Sequence, residues 1–148
     1  MTWSHLRKGR FSQSGQEYFI TFNCEKRRPL FTEAELAKAF CRYLSINEDK
    51  FSCQWLSWFL MPDHFHGLVK IDHYPIEKVI KDLKGSTARF LNKRRKDTGP
   101  LWQKNFYDHA LRVEEDRLTI SRYIVSNPVR AGIVKSVRFY PYWNSVYF

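Results

Sequence analysis

The sequence predicts an α+β fold, an antiparallel ferredoxin-like sheet with packed helices, in one domain over residues 1–148. Three observations predict it. Candidate elements follow the order strand, helix, strand, strand, helix, strand, helix. Two aromatic-rich strands flank a Met61-Pro62-Asp63 turn and so form a hairpin. Two longer stretches carry apolar residues at helical spacing, each with one face to bury.

The first strand covers residues 17–24 (EYFITFNC), where β-branched and aromatic residues concentrate. Lys26-Arg27-Arg28-Pro29 ends it. Thr32 and Glu35 have the spacing of a capping box. Leu36, Ala39, Phe40, Tyr43 and Leu44 then extend a helix to about Ile46. Residues 51–60 form a long aromatic strand, and residues 64–71 return beside it. Pro75 suits the first turn of a second helix, whose apolar stripe is Ile76, Val79, Ile80, Leu83, Thr87, Phe90 and Leu91. Asp97-Thr98-Gly99-Pro100 stops that helix. A short edge strand lies within residues 105–113. Glu114, Glu115 and Asp116 place negative charge at the start of a third helix. That helix ends near Asn127, because the residue before Pro128 is pushed out of the α region.

Composition narrows the function. Lys and Arg number 25 against 15 Asp and Glu, a formal charge of +10, and aromatics make up 17%. A basic, aromatic-rich small domain points to nucleic acid, with a basic surface kept for solubility as the plain alternative. The apolar stretch 55–61 is far short of the roughly 20 residues a membrane span needs, and residues 1–10 lack the apolar core of a secretory signal. Cys24, Cys41 and Cys53 lack zinc-type spacing and read as reduced, packed thiols of a cytoplasmic, nucleoid-associated protein.

The sharpest chemical feature is His64-Phe65-His66. On a strand the two imidazoles point one way and Phe65 the other, so both can converge on one cation. Tyr123 and Asn127 are four apart and share a helix face. Residues 76–104 hold nine Lys or Arg, among them Lys78, Lys81, Arg89 and the run Lys93, Arg94, Arg95, Lys96, against three acids. That run suits phosphate contact, and Trp102 and Phe106 beside it are candidates to stack unpaired bases.

These blocks together resemble a known family. Met61-Pro62-Asp63-His64-Phe65-His66-Gly67-Leu68-Val69 resembles the HUH motif, two histidines around a hydrophobic residue. Trp102-Gln103, the block 106–112 (FYDHALR) and the block 122–132 (RYIVSNPVRAG) resemble the C-terminal half of the REP-associated tyrosine transposases, relatives of the single-tyrosine transposases of small bacterial insertion sequences (IS200-like). Tyr18-Phe19-Ile20-Thr21 fits that group's first strand, and the likeness spans roughly residues 15 to 135. The resemblance implies His64, His66 and Asn127 as ligands of a divalent metal, Mg or Mn, and Tyr123 as nucleophile. It implies cleavage of single-stranded DNA beside a hairpin, leaving a 5′-phosphotyrosine and a free 3′-OH. Monomer or homodimer, and whether Tyr123 serves its own subunit, stay open. The reading from a different class is a non-catalytic hairpin-DNA or RNA binding module on the same fold.

Overall fold

The computed structural model describes residues 14–112, 115–136, 138 and 140–148. The readings placed on residues 1–10 and on Val113 and Glu114 lie outside these. Five strands form one antiparallel sheet: β1 (Glu17–Asn23), β2 (Gln54–Met61), β3 (His64–Lys70), β4 (Tyr107–Ala110) and β5 (Trp143–Ser145). Their order across the sheet is β4-β1-β3-β2-β5. The helices are α1 (Ala34–Phe51), α2 (Ile76–Arg95), α3 (Arg117–Val125) and the short α4 (Asn127–Arg130). The first four strands and first two helices give the expected ferredoxin-like arrangement, while α4 and the edge strand β5 add to it.

The sheet is covered on both faces, and strand alternation decides what goes where. Ile20 and Phe22 of β1, Leu60 of β2 and Phe65 and Val69 of β3 join the core beneath α1 and α2. Leu56, Phe59 and Met61 of β2 and Leu68 of β3 face the other way. There they pack with Leu111, Tyr140 and the α3 residues Ile124 and Val125. Among the described residues no helix is long and apolar enough to cross a membrane. The three cysteines are unbridged, and burial pushes the thiols of Cys24 and Cys53 up to about 12 and that of Cys41 to about 11. They are protonated packing groups.

Two local expectations are corrected. Thr32 does not cap α1: it closes a 3-10 turn, and its hydroxyl donates to the Pro29 carbonyl at 2.9 Å. Glu33 occupies the cap position with no side-chain bond, and Glu35 pairs with Arg94 instead. Second, α1 continues to Phe51, past Ile46, and takes the residue that reads as the start of the next strand. Asn47 explains the extension. It is buried on the helix's inner face, donates to the Val79 carbonyl at 3.0 Å and accepts from Trp55 Nε1 at 3.0 Å. A polar residue that looks like a helix end is here a satisfied bridge between α1, α2 and β2. Ser52, at φ 50°, closes the helix in the left-handed region.

The acidic start of α3 is more specific than a dipole effect. Asp116 is its N-cap, accepting from the Leu118 amide at 3.0 Å. Glu17 on β1 binds Arg117 at 2.6 Å, anchoring the same helix end to the sheet.

Gly67 lies beside the histidines on β3, where a Cβ would sit 3.0 Å from the Trp55 ring and 3.1 Å from the Ser57 carbonyl. We therefore expect Gly67→Val to lower the unfolding free energy by about 1–3 kcal/mol through overpacking, as read by urea denaturation.

Candidate active site

The site is built on β3, the central strand. His66 pairs across to Thr21 on β1 and Phe59 on β2, and His64 to Asn23 and Met61. Held from both sides, the two imidazoles share the face opposite Phe65. Their ring centroids are 5.4 Å apart and the rings nearly perpendicular.

Each ring is oriented by a partner. His64 Nδ1 lies 2.8 Å from Asp63 Oδ1. A carboxylate only accepts, so Nδ1 carries the proton and Nε2 keeps a lone pair. Asp63 is fixed in turn by Arg27, whose Nε donates to Oδ2 at 3.0 Å. Burial works to raise the Asp63 carboxyl, but the bonds from His64 and Arg27 outweigh it and hold the group below its ordinary value. His66 is buried, with the Asn127 amide Nδ2 at 3.2 Å from its Nε2. Nε2 is therefore the accepting nitrogen, while the Ile124 main chain beside the ring acts to raise the imidazole.

Burial pushes His66 down to about 3, helped by the charges of His64 and Arg130. Burial also lowers His64, against the opposing pull of Asp63. Both imidazoles are neutral near pH 7: His64 Nδ1–H is engaged by Asp63, and His66 Nε2 accepts from the Asn127 amide. That is the state a metal ligand requires, and a carboxylate or carbonyl behind the ring is the usual way of fixing it. Among the described residues no three His, Cys, Asp or Glu side chains gather around a metal position. The donor set thus needs the Asn127 amide, which carries an oxygen beside its Nδ2. Two imidazoles and an amide oxygen fit a divalent cation.

The tyrosine helix docks on this face. Ser57 on β2 donates to Ser121 Oγ at 2.7 Å, two residues before Tyr123, and Ile124 and Val125 are buried. Tyr123 itself is 53% exposed. Arg130 stacks on its ring, with the guanidinium carbon 3.9 Å from the centroid. The structure therefore brings His64, His66 and Asn127 together and sets Tyr123 one turn before Asn127. The sequence reading missed Asp63, taken only as a turn residue, and Arg130. The first had a signal, since it directly precedes His64. The second had only its spacing of seven, two helical turns after Tyr123.

The expected DNA-binding residues are divided. Lys78, Lys81 and Arg89 line a groove of about 480 Å³ between α1 and α2, together with Tyr74. This groove lies on the α1 and α2 side of the sheet, opposite the histidines. Of the run at the end of α2, Arg94 pairs with Glu35 at 2.6 Å and Arg95 with Asp97 at 3.2 Å. Lys96 caps the helix at φ 54°, and Lys93 is exposed. Basic residues also suit a helix C-terminus through its dipole. Trp102 is corrected outright. It is 5% exposed, donates from Nε1 to Thr87 Oγ1 at 3.0 Å and stacks on Phe31 with ring centroids 5.6 Å apart. It is a core residue and offers no face to a base.

Fold and site together define a sheet-borne histidine pair completed by a tyrosine-bearing helix. The sequence matches the profile of the IS200-like transposases over residues 12–127, and the chain belongs to that family. It is 30% identical over 95 residues to a Haemophilus influenzae protein assigned as a REP-associated tyrosine transposase. That match covers 56% of this chain and 53% of the relative, so the chain spans about half of that relative's length. It is 24% identical over 138 residues to the REP-associated tyrosine transposase of Escherichia coli, covering 90% of this chain and 78% of the relative. The solved structure of a REP-associated tyrosine transposase bound to a REP hairpin shares the fold, with a TM-score of 0.78 at 21% identity over 90% of this chain and 79% of that one.

Because Trp102 is core, Trp102→Leu is expected to lower stability by roughly 2–4 kcal/mol in urea denaturation, the range for large-to-small core replacements. A tryptophan held out to stack on a base would leave stability unchanged.

Proposed function

We propose that this chain cuts and rejoins single-stranded DNA beside a hairpin, with Tyr123 as nucleophile and His64, His66 and Asn127 holding Mg or Mn. The observation that carries the reading is the 3.2 Å approach of Asn127 to His66 Nε2, which joins the tyrosine-bearing segment to the histidine strand at one point. The names of the relatives and the hairpin held by the structural neighbour support the substrate class.

The residues divide the work. Asp63 fixes the His64 tautomer and both imidazoles are neutral, so His64 and His66 present lone pairs without first losing protons. Asn127 adds a neutral oxygen. A divalent cation held by His64, His66 and Asn127 would supply charge neutralisation to the phosphodiester, which otherwise repels its attacker. The Tyr123 hydroxyl, open to solvent, attacks phosphorus and gives up its proton. The bond from phosphorus to the 3′ oxygen breaks, and that oxygen takes a proton to become the free 3′-OH. The 5′ phosphate stays esterified to the phenol oxygen. Phenolate is a better leaving group than an alkoxide, so a 3′-OH can reverse the step without ATP.

Tyr123→Phe is expected to abolish the covalent protein–DNA product in a denaturing gel with labelled hairpin DNA and manganese, while leaving hairpin binding unchanged. An adduct that persists, mapped to Tyr107 or another tyrosine, overturns the assignment. Hairpin binding by the wild type without any adduct would favour the non-catalytic module.

Calorimetry with manganese tests the ligand set. Asp63→Ala should weaken binding by roughly 10- to 100-fold, the usual effect of losing a ligand's outer partner, and His66→Ala by more. Asn127→Ala should cost less than His66→Ala, because a neutral amide oxygen is the weaker donor. Equal affinity in wild type and the His64→Ala/His66→Ala double variant would refute the metal site.

A further inference from the structure

We propose that Arg130 is the positioning residue for Tyr123, holding the phenol ring in one orientation through a stacked guanidinium clamped to the tyrosine's own main chain. The inference rests on the reading of Tyr123 as nucleophile and adds a residue to it.

Tyr123 presents a difficulty that the rest of the site does not. The histidines are held by the sheet and by partners behind their rings. Tyr123 is 53% exposed, and an exposed tyrosine rotates about both side-chain bonds. A nucleophile that samples many orientations rarely points at phosphorus, and a misplacement of about 1 Å is enough to cost a hundredfold in rate. Something must restrict the ring without covering its hydroxyl.

Arg130 meets both conditions. Its guanidinium carbon lies 3.9 Å from the ring centroid, so it covers a face and leaves the edge bearing the hydroxyl open. Two edges of the same group are anchored. Nη2 donates to the Tyr123 carbonyl at 2.9 Å, and Nε donates to Ser126 Oγ at 3.1 Å. The Ser126 hydroxyl donates to that same carbonyl at 3.1 Å. The Arg130 amide donates to the Ser126 carbonyl at 3.0 Å. The clamp therefore spans the break between α3 and α4 and encloses Asn127, so it fixes the tyrosine and the amide relative to each other. The Tyr123 carbonyl is among the last four of α3, which lack a full set of helical donors. Arginine and serine supply them.

The residue type is specific. Only a planar guanidinium can stack on a ring and hydrogen-bond through two edges at once; an ammonium carries the charge without the plane or the fork. Lysine at 130 therefore separates positioning from simple attraction of the phosphate.

The test compares wild type, Arg130→Lys and Arg130→Met. Adduct formation is followed in a single turnover at saturating labelled hairpin DNA with manganese. In parallel, each protein is made with 3-fluorotyrosine, and the Tyr123 fluorine signal is identified by its loss in Tyr123→Phe. Both Arg130 variants should form adduct about 10- to 100-fold more slowly at saturation, with the hairpin affinity of Arg130→Lys unchanged. Their Tyr123 fluorine signal should move to the position of an unrestrained tyrosine, while the other tyrosine signals stay in place and report an intact fold. Arg130→Lys reacting at the wild-type rate overturns the inference and leaves Tyr123 as nucleophile. Slow reaction with an unmoved signal overturns it too, and reassigns Arg130 to the phosphate. No adduct from the wild type overturns the nuclease reading, and this inference with it.

Discussion

The pairing of β3 with β1 on one side and β2 on the other is the constraint on which the molecule depends. A strand bonded on both edges has no freedom of register, and a slip of one residue would exchange its two faces. In this register Phe65 enters the core under α1 and α2, against Phe22, Phe40 and Trp55. His64 and His66 are forced onto the opposite face. The aromatic core thus does more than stabilise the fold. It locks the strand that aims two imidazoles, and Gly67 keeps the backbone close enough to Trp55 and Ser57 for that packing to exist.

The second half of the site is brought to the first by interruption of a helix. Pro128 cannot donate to the Ile124 carbonyl, so α3 ends at Val125 and a new turn begins at Asn127. One proline therefore ends the tyrosine helix and stands in the first turn of the segment carrying the amide. Buried hydroxyls secure the docking: Ser57 reaches Ser121 on α3 and lies 2.7 Å from Ser145 on β5, and the Tyr140 hydroxyl donates to the Leu60 carbonyl at 2.6 Å. Fully partnered polar contacts of this kind specify one seating for the helix where apolar packing alone would tolerate several.

The positive charge of the chain is not one surface. Part of it is engaged in structural pairs, as with Arg27 on Asp63, Arg94 on Glu35 and Arg117 on Glu17. Part lines the groove between α1 and α2, and Arg130 stands at the tyrosine. The groove and the histidines occupy opposite faces of the sheet. Net charge is a property of composition, but where each charge points depends on which acids fold next to it.

Much was legible in the chain because it was local. Strand alternation alone puts His64 and His66 on one side, and the hairpin turn, the α2 stripe and the spacing of Tyr123 and Asn127 need only neighbouring residues. Elements that depend on distant partners were not legible. The first helix reads as ending at about Ile46 until Val79 and Trp55 close on Asn47, and Thr32 reads as a cap until Pro29 takes its hydroxyl. Trp102 reads as a candidate for a base because its local sequence is basic; only the tertiary fold shows it buried against Phe31 with Thr87 on its indole nitrogen. By itself the sequence determined the residue types and their local directions, because backbone period and turn chemistry are properties of short stretches. Tertiary structure decided which of them meet, since the contacts of Asn127 with His66 and of Ser57 with Ser121 join residues more than sixty positions apart, and no local rule encodes that distance.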